Sequence, residues 1–147
     1  MRRFVSFIAL TFLILAVDWT TKLQATSFEG YHSLRFNSWF TIDYVENPGI
    51  AFGIPFGGWG QIVVSVVLLL ILLAYALTKL DFNQTSVKIF MALILGGALG
   101  NLIDRISFGV VRDFIGIGSW PLFNFADAAI VIGIILFLYH SYRYPYE

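Results

Sequence analysis

Asp104 and Asp127 are the residues from which chemistry is most directly built. Asp104 stands near the end of the apolar run Ile89 to Ile106, and Asp127 near the start of the run Phe123 to Tyr142. Two helices crossing a bilayer in opposite directions would present these carboxylates at a similar depth. A charge at the bilayer centre costs roughly 2.5–3.5 kcal/mol on insertion scales and less toward the interface, so an ionisable residue in a span marks function by default. Two carboxylates brought close together repel, and the pair tends to hold one proton between them. The ionised member then takes a proton from an attacking water, and the protonated member donates to the developing oxyanion. That is the machinery of aspartyl proteolysis.

Each residue also has a plainer role open to it. Asn124 precedes Asp127 by three positions, the spacing of a helix N-cap with an acid in the first turn, facing the positive end of the helix dipole. Asp18 and Lys22 are one helical turn apart with the acid first, the favourable order for an ion pair. Arg105 follows Asp104 directly, so on a helix it points elsewhere and is not assumed to be its partner. Asn101 and Asn124 are amides suited either to joining helices or to orienting a carboxylate or a substrate backbone.

Other chemistries lack parts. Cysteine is absent, which removes a thiol nucleophile and a disulfide framework. The two histidines, His32 and His140, fall near opposite ends of the spans, so neither a serine–histidine hydrolase nor a His-ligated metal site is supported. No phosphate-loop or dinucleotide fingerprint occurs, and a formal net charge of zero argues against a nucleic-acid partner held by bulk electrostatics.

The elements that must position these groups are membrane spans. Of the 147 residues 59% are hydrophobic and 12% charged, about half the charged fraction of a soluble domain. Runs long enough to cross a hydrocarbon core of about 30 Å as helix cover residues 4–25, 59–80, 89–106 and 123–142. The chain is therefore expected to be an all-α membrane protein, residues 1–147 forming one domain of four transmembrane helices. Met1-Arg2-Arg3 before an apolar run resembles a secretory leader, but Asp18 and Lys22 continue the run at helical spacing and no small-x-small cleavage site follows. With four spans both termini and the loop from Lys79 to Lys88 share a side, carrying Arg2, Arg3, Lys79, Lys88 and Arg143, which makes that side cytoplasmic.

Between the first two spans Leu34, Phe36, Phe40, Ile42 and Tyr44 alternate with polar residues, broken at Ser38 and Trp39, a strand-like period of two. A small sheet lying against the outer membrane surface is expected there, with a plain surface loop as the alternative, followed by a turn-rich entry into the second span around Pro48, Gly49, Gly53, Pro55, Gly57 and Gly58. Gly96, Gly97 and Gly100 in the third span sit at small-xxx-small spacing, a signal for close helix packing. The stretch from Phe108 to Trp120 reads as an outer loop partly embedded in the interface.

Five stretches taken together resemble the lipoprotein signal peptidases, the signal peptidase II family. They are Asp18-Trp19-Thr20-Thr21-Lys22, Asn47-Pro48-Gly49-Ile50-Ala51-Phe52-Gly53, Gly96 through Arg105, Val111-Arg112-Asp113-Phe114, and Phe123-Asn124-Phe125-Ala126-Asp127. The resemblance implies four transmembrane helices with an extracytoplasmic β cradle. It implies an aspartic endopeptidase that removes the signal peptide from a diacylglyceryl-modified prolipoprotein, just before the lipidated cysteine. Carried over position by position, Asp104 and Asp127 become the catalytic dyad. Asn47, Gly49, Asn101, Arg105, Asn124 and Ala126 become positioning or substrate-binding residues, and Asp18 with Lys22 a supporting pair. The family implies no cofactor, a site near the outer face of a bacterial inner membrane, contact with membrane lipid, and inhibition by the peptide antibiotic globomycin. Trp19 departs from the family, which usually has Gln there, so a polar contact at that position is in doubt.

Two other functions are open to a chain with intramembrane carboxylates. A small carboxylate-based transporter would need polar residues through the whole membrane depth, and the cytoplasmic halves of the second and fourth spans are nearly free of them. A non-catalytic helical scaffold would tolerate Asn at both 104 and 127.

Overall fold

The computed structural model describes residues 2–29, 34–49 and 59–144. Helix α1 (Arg2–Ala25) is followed by strands β1 (Leu34–Arg35) and β2 (Phe40–Asn47). Helices α2 (Trp59–Lys79) and α3 (Thr85–Phe108), strand β3 (Val111–Ile117) and helix α4 (Phe125–Arg143) complete the order. All four helices are long and apolar enough to cross a bilayer. Helix α3 begins at Thr85, four residues before the apolar run that announced it, because Thr85, Ser86 and Lys88 are polar residues in the helix's first turn. His32 and residues 50–58 of the glycine- and proline-rich entry lie outside the described residues.

Helix α3 is the centre of the bundle: 56% of its apolar window is buried, against 11–22% for the other three. Its glycines explain how. A Cβ on Gly96 would run into Ile14 and the Thr11 carbonyl of α1, one on Gly97 into the Ala126 carbonyl of α4, and one on Gly100 into the Asp18 carboxylate. In lipid, where apolar surface gains little by leaving solvent, such backbone proximity supplies the packing. Helices α1 and α4 both pack closely on α3, while α2 packs on it more thinly. At the end of the bundle carrying the α2–α3 turn, Phe7, Ala76, Phe82, Val87 and Phe90 form a buried cluster, with Phe4 and Phe7 both against the Phe82 ring at centroid distances of 5.2 and 5.1 Å.

At the other end the three strands form one antiparallel sheet in the order β1-β2-β3. The embedded loop expected from Phe108 to Trp120 is in fact largely β3. Gly109 makes this possible: at φ 77° it ends α3 in the left-handed conformation, its N–H donating to the Arg105 carbonyl, and the chain turns back at once. Strand β3 pairs with β2 from Phe40↔Ile117 to Asn47↔Val111, with a bulge between Ile42 and Val45. The chain then doubles back so that Phe123 and Ile115 exchange both backbone bonds, at 3.0 and 2.8 Å. That exchange delivers the next residue, Asn124, over the middle of β3 as the N-cap of α4.

Candidate active site

Strand geometry sends successive side chains to opposite faces, and on β3 this separates two adjacent charges. Arg112 turns toward α3. Its Nη2 and Nε donate to Asp104 Oδ1 and Oδ2 at 2.7 and 3.2 Å, and its backbone N–H adds a third bond at 3.1 Å. Lys22 Nζ reaches Asp104 Oδ2 at 3.3 Å and Asp18 Oδ2 at 2.8 Å. These four side chains form a buried, charge-balanced cluster, and Asp104 has no exposed surface. Trp19 stacks on Phe108 at 6.3 Å, and the Arg112 guanidinium lies 5.1 and 4.4 Å from their ring centroids. Where a polar residue was in doubt, an aromatic one covers the cation instead.

Asp113 faces the other way. Its Oδ2 accepts from Asn47 Nδ2 at 2.9 Å and its Oδ1 from Asn124 Nδ2 at 2.7 Å. Asn124 in turn caps α4: its Oδ1 accepts the Asp127 N–H at 2.9 Å, and its own N–H donates to Asp127 Oδ2 at 3.3 Å. The reciprocal capping box satisfies two orphan donors of the helix start and fixes the Asp127 carboxylate beside the one amide that also holds Asp113. Asn101 Nδ2 supplies a further bond to Asp127 Oδ1 at 2.7 Å. Burial, with the nearby Asp127 charge adding to it, outweighs the lowering from the Asn47 and Asn124 amides and the Lys22 charge. Together they push the Asp113 carboxyl up to about 6 from its ordinary 3.8.

The structure thus brings together a set that differs from the sequence expectation in one member. No hydrogen bond joins Asp104 to Asp127 among the described residues, and both Asp104 oxygens are taken by cations. Asp113, two residues past Val111 in a stretch expected to be loop, is the acidic side chain that shares Asn124 with Asp127. Its signal in the sequence was the stretch Val111-Arg112-Asp113-Phe114, but nothing local distinguished Asp113 from Asp104 as the partner of Asp127. The expected Asp18–Lys22 ion pair is present, and Asp18 Oδ1 also accepts the Ala126 N–H at 2.9 Å, tying α1 to the first turn of α4. The Asn47 side chain accepts the Gly49 N–H at 2.9 Å, so the turn and Asp113 are held by one amide.

A cavity of about 840 Å³ runs between α2, α3 and α4, mostly lined by Leu, Ile, Met and Phe, from Tyr75 and Phe137 at one end to Asn101, Arg105 and Asp127 at the other. Arg105 reaches it with its Nε buried and without a hydrogen-bond partner, within electrostatic range of Asp127 and Asp113. A half-buried carboxylate and an unspent guanidinium donor at the head of an apolar groove suit an extended peptide backbone attached to an apolar segment.

The sequence model of signal peptidase (SPase) II matches residues 10–143. The chain belongs to the signal peptidase II family. It is 43% identical over 132 residues to the lipoprotein signal peptidase of Moorella thermoacetica (strain ATCC 39073 / JCM 9320), covering 88% of each chain. It is 38% identical over 138 residues to that of Thermodesulfovibrio yellowstonii (strain ATCC 51303 / DSM 11347 / YP87), covering 90% of this chain and 91% of the relative. The fold is similar to a bacterial membrane enzyme solved by the in meso method at 2.3 Å resolution, with a TM-score of 0.81 and 26% identity over 93% of this chain and 87% of that one. Membership of this family makes the chain a multi-pass membrane protease and sets aside the transporter and scaffold functions.

Proposed function

We propose that the chain is an aspartic endopeptidase that removes the signal peptide from a diacylglyceryl-modified prolipoprotein, and that its reacting carboxylates are Asp113 and Asp127. The observation that carries the assignment is a shared neighbour: Asn124 donates to the Asp113 carboxylate through its side-chain Nδ2 and to the Asp127 carboxylate through its backbone N–H, and Asp127 lines the head of the apolar groove. Asp104 is instead fully buried between Lys22 and Arg112, with both oxygens held by cations. Its work is to hold β3 against α3, so that Arg112 points toward α3 and Asp113 toward Asn47 and Asn124.

A water between the two carboxylates loses a proton to ionised Asp127 as its oxygen bonds to the scissile carbonyl carbon, and the proton on Asp113 passes to the carbonyl oxygen. The tetrahedral species then collapses: its hydroxyl returns a proton to Asp113, the C–N bond breaks, and the proton taken up by Asp127 goes to the leaving amine. Arg105 is placed to donate to a substrate backbone carbonyl, with Asn47, Gly49, Asn101 and Ala126 fixing the turn and helix start around it. Signal-peptide apolar residues lie along the groove, and the diacylglyceryl chains remain in contact with membrane lipid.

The excess of cations Arg2, Arg3, Lys79, Lys88 and Arg143 in the terminal segments and the α2–α3 turn supports cytoplasmic termini and a site near the outer face. Cleavage of a lipidated prolipoprotein by the purified protein, repeated with Asp113→Asn and Asp127→Asn and with globomycin, tests the proposal. Processing that is lost in both variants and blocked by globomycin supports it; processing that survives in either variant refutes the dyad.

A further inference from the structure

A side-chain amide has an acceptor and a donor on one planar head, and its neighbours decide which faces which way. Around Asn101 the choice is made by a charge. Lys22 Nζ donates to Asn101 Oδ1 at 3.0 Å, Asn124 Nδ2 adds a second donor at 3.1 Å, and Asn101 Nδ2 is left to donate to Asp127 Oδ1. An ammonium has donors only, so a reversed Asn101 would set its NH2 against Lys22 and its oxygen against Asp127. Lys22 itself is 0% exposed and cannot swing away, because Asp18 and Asp104 hold it from two sides.

We propose that Lys22 is a positioning residue for the peptidase reaction: its buried ammonium locks Asn101 in the one orientation that donates to Asp127. The inference rests on the assignment of Asp127 as a reacting carboxylate. A purely structural ion pair would not require it, since Asp18 also has the Ala126 N–H and Asp104 also has the Arg112 fork. The groups that bear on Asp127 are Asn101 and Arg105 from α3, Asp113 from β3, Asn124 ahead of α4, and Lys22 of α1 acting through Asn101.

Two double variants that preserve charge balance separate the roles. Asp18→Asn/Lys22→Met removes one charge of each sign and the donor to Asn101; Asp18→Asn/Lys22→Gln removes the same charges but keeps a donor. With a lipidated prolipoprotein as substrate, kcat of the Met variant is expected to fall at least about tenfold with KM within about twofold, through loss of a hydrogen bond that acts on the reacting group. The acid limb of its kcat profile should move to higher pH, and the Gln variant should recover most of the loss. Equal kcat and an unmoved limb in both folded variants overturn the proposal. Should neither fold, Asn101→Ala leaves the charged cluster whole: a tenfold loss of kcat at near wild-type Tm sustains the proposal, and wild-type kcat overturns it. Asp127→Asn serves as the reference. If it is inactive while the Met and Gln variants are alike, only the role of Lys22 fails; if it cleaves normally, the dyad assignment fails with it.

Discussion

Replacing Asp104 and Asp113 one at a time by Asn distinguishes a carboxylate that holds the fold from one that reacts. Asp104 accepts from both guanidinium arms and the backbone N–H of Arg112 and faces Lys22, with no exposed surface. Breaking a buried ion pair from one side costs about 3–5 kcal/mol, so Asp104→Asn should unfold at a clearly lower temperature in detergent. Asp113 is in the opposite position. Its carboxyl is held at about 6 rather than 3.8, a rise of about 2 units, or about 3 kcal/mol at 1.36 kcal/mol per unit. The folded state binds this proton more tightly than the unfolded one, so stability falls as pH rises from about 4 to about 6, and the penalty is complete above that.

Asn at 113 removes the penalty but can accept from only one of Asn47 and Asn124, and the amide donor left unpaired costs about 1–3 kcal/mol. The two effects nearly cancel, which puts Asp113→Asn within about 2 kcal/mol of the parent at neutral pH. Its cleavage rate should nevertheless fall by about 10²–10⁴, the range supplied by a positioned acid or base. Thermal unfolding in detergent and cleavage of a lipidated prolipoprotein, both normalised to folded protein, read the two quantities. Asp113→Asn that cleaves at the parental rate, or Asp104→Asn that is as stable as the parent yet inactive, would refute the reasoning.

Four further outcomes are expected. In the free enzyme kcat/KM should decline as pH rises above about 6, as Asp113 loses the proton it must donate, and a profile flat from 5 to 8 would contradict that role. Asn124→Ala removes the cap of α4 and the side-chain donor to Asp113; it should cost about 1 kcal/mol of stability and a far larger share of activity, read by Tm and by cleavage. Gly97→Val places a side chain against the Ala126 carbonyl, and overpacking of this kind should lower stability by about 1–3 kcal/mol, measured as a fall in Tm. Chelation with EDTA should leave cleavage unchanged, because the proposed pair of carboxylates activates water by proton transfer alone.

Much of this arrangement is local, and local patterns are legible in a sequence. The four spans follow from uninterrupted apolar length, the close approach of α3 to its neighbours from Gly96, Gly97 and Gly100, and the Asp18–Lys22 pair from one-turn spacing. The cap of α4 follows from Asn124 standing three residues before Asp127. Each depends on residues a few positions apart on one element, where the period of the helix fixes the geometry. The ordered motifs carried the family as well, since they recur across most of the chain.

The partner of Asp127 was not local. Asp104 and Asp113 are nine residues apart, both acidic and both next to an arginine, and apolar run length favoured the one inside a span. Three features of the tertiary structure reversed that preference. Gly109 turns the chain back on α3, the β2 ladder sets the register of β3 so that Arg112 is turned toward Asp104 and Asp113 toward Asn47, and the Phe123–Ile115 exchange lays Asn124 over Asp113. Strand pairing and the return of the chain depend on contacts between residues far apart in sequence, so spacing alone could place two aspartates at the right depth but could not say which of them Asn124 would join to the start of α4.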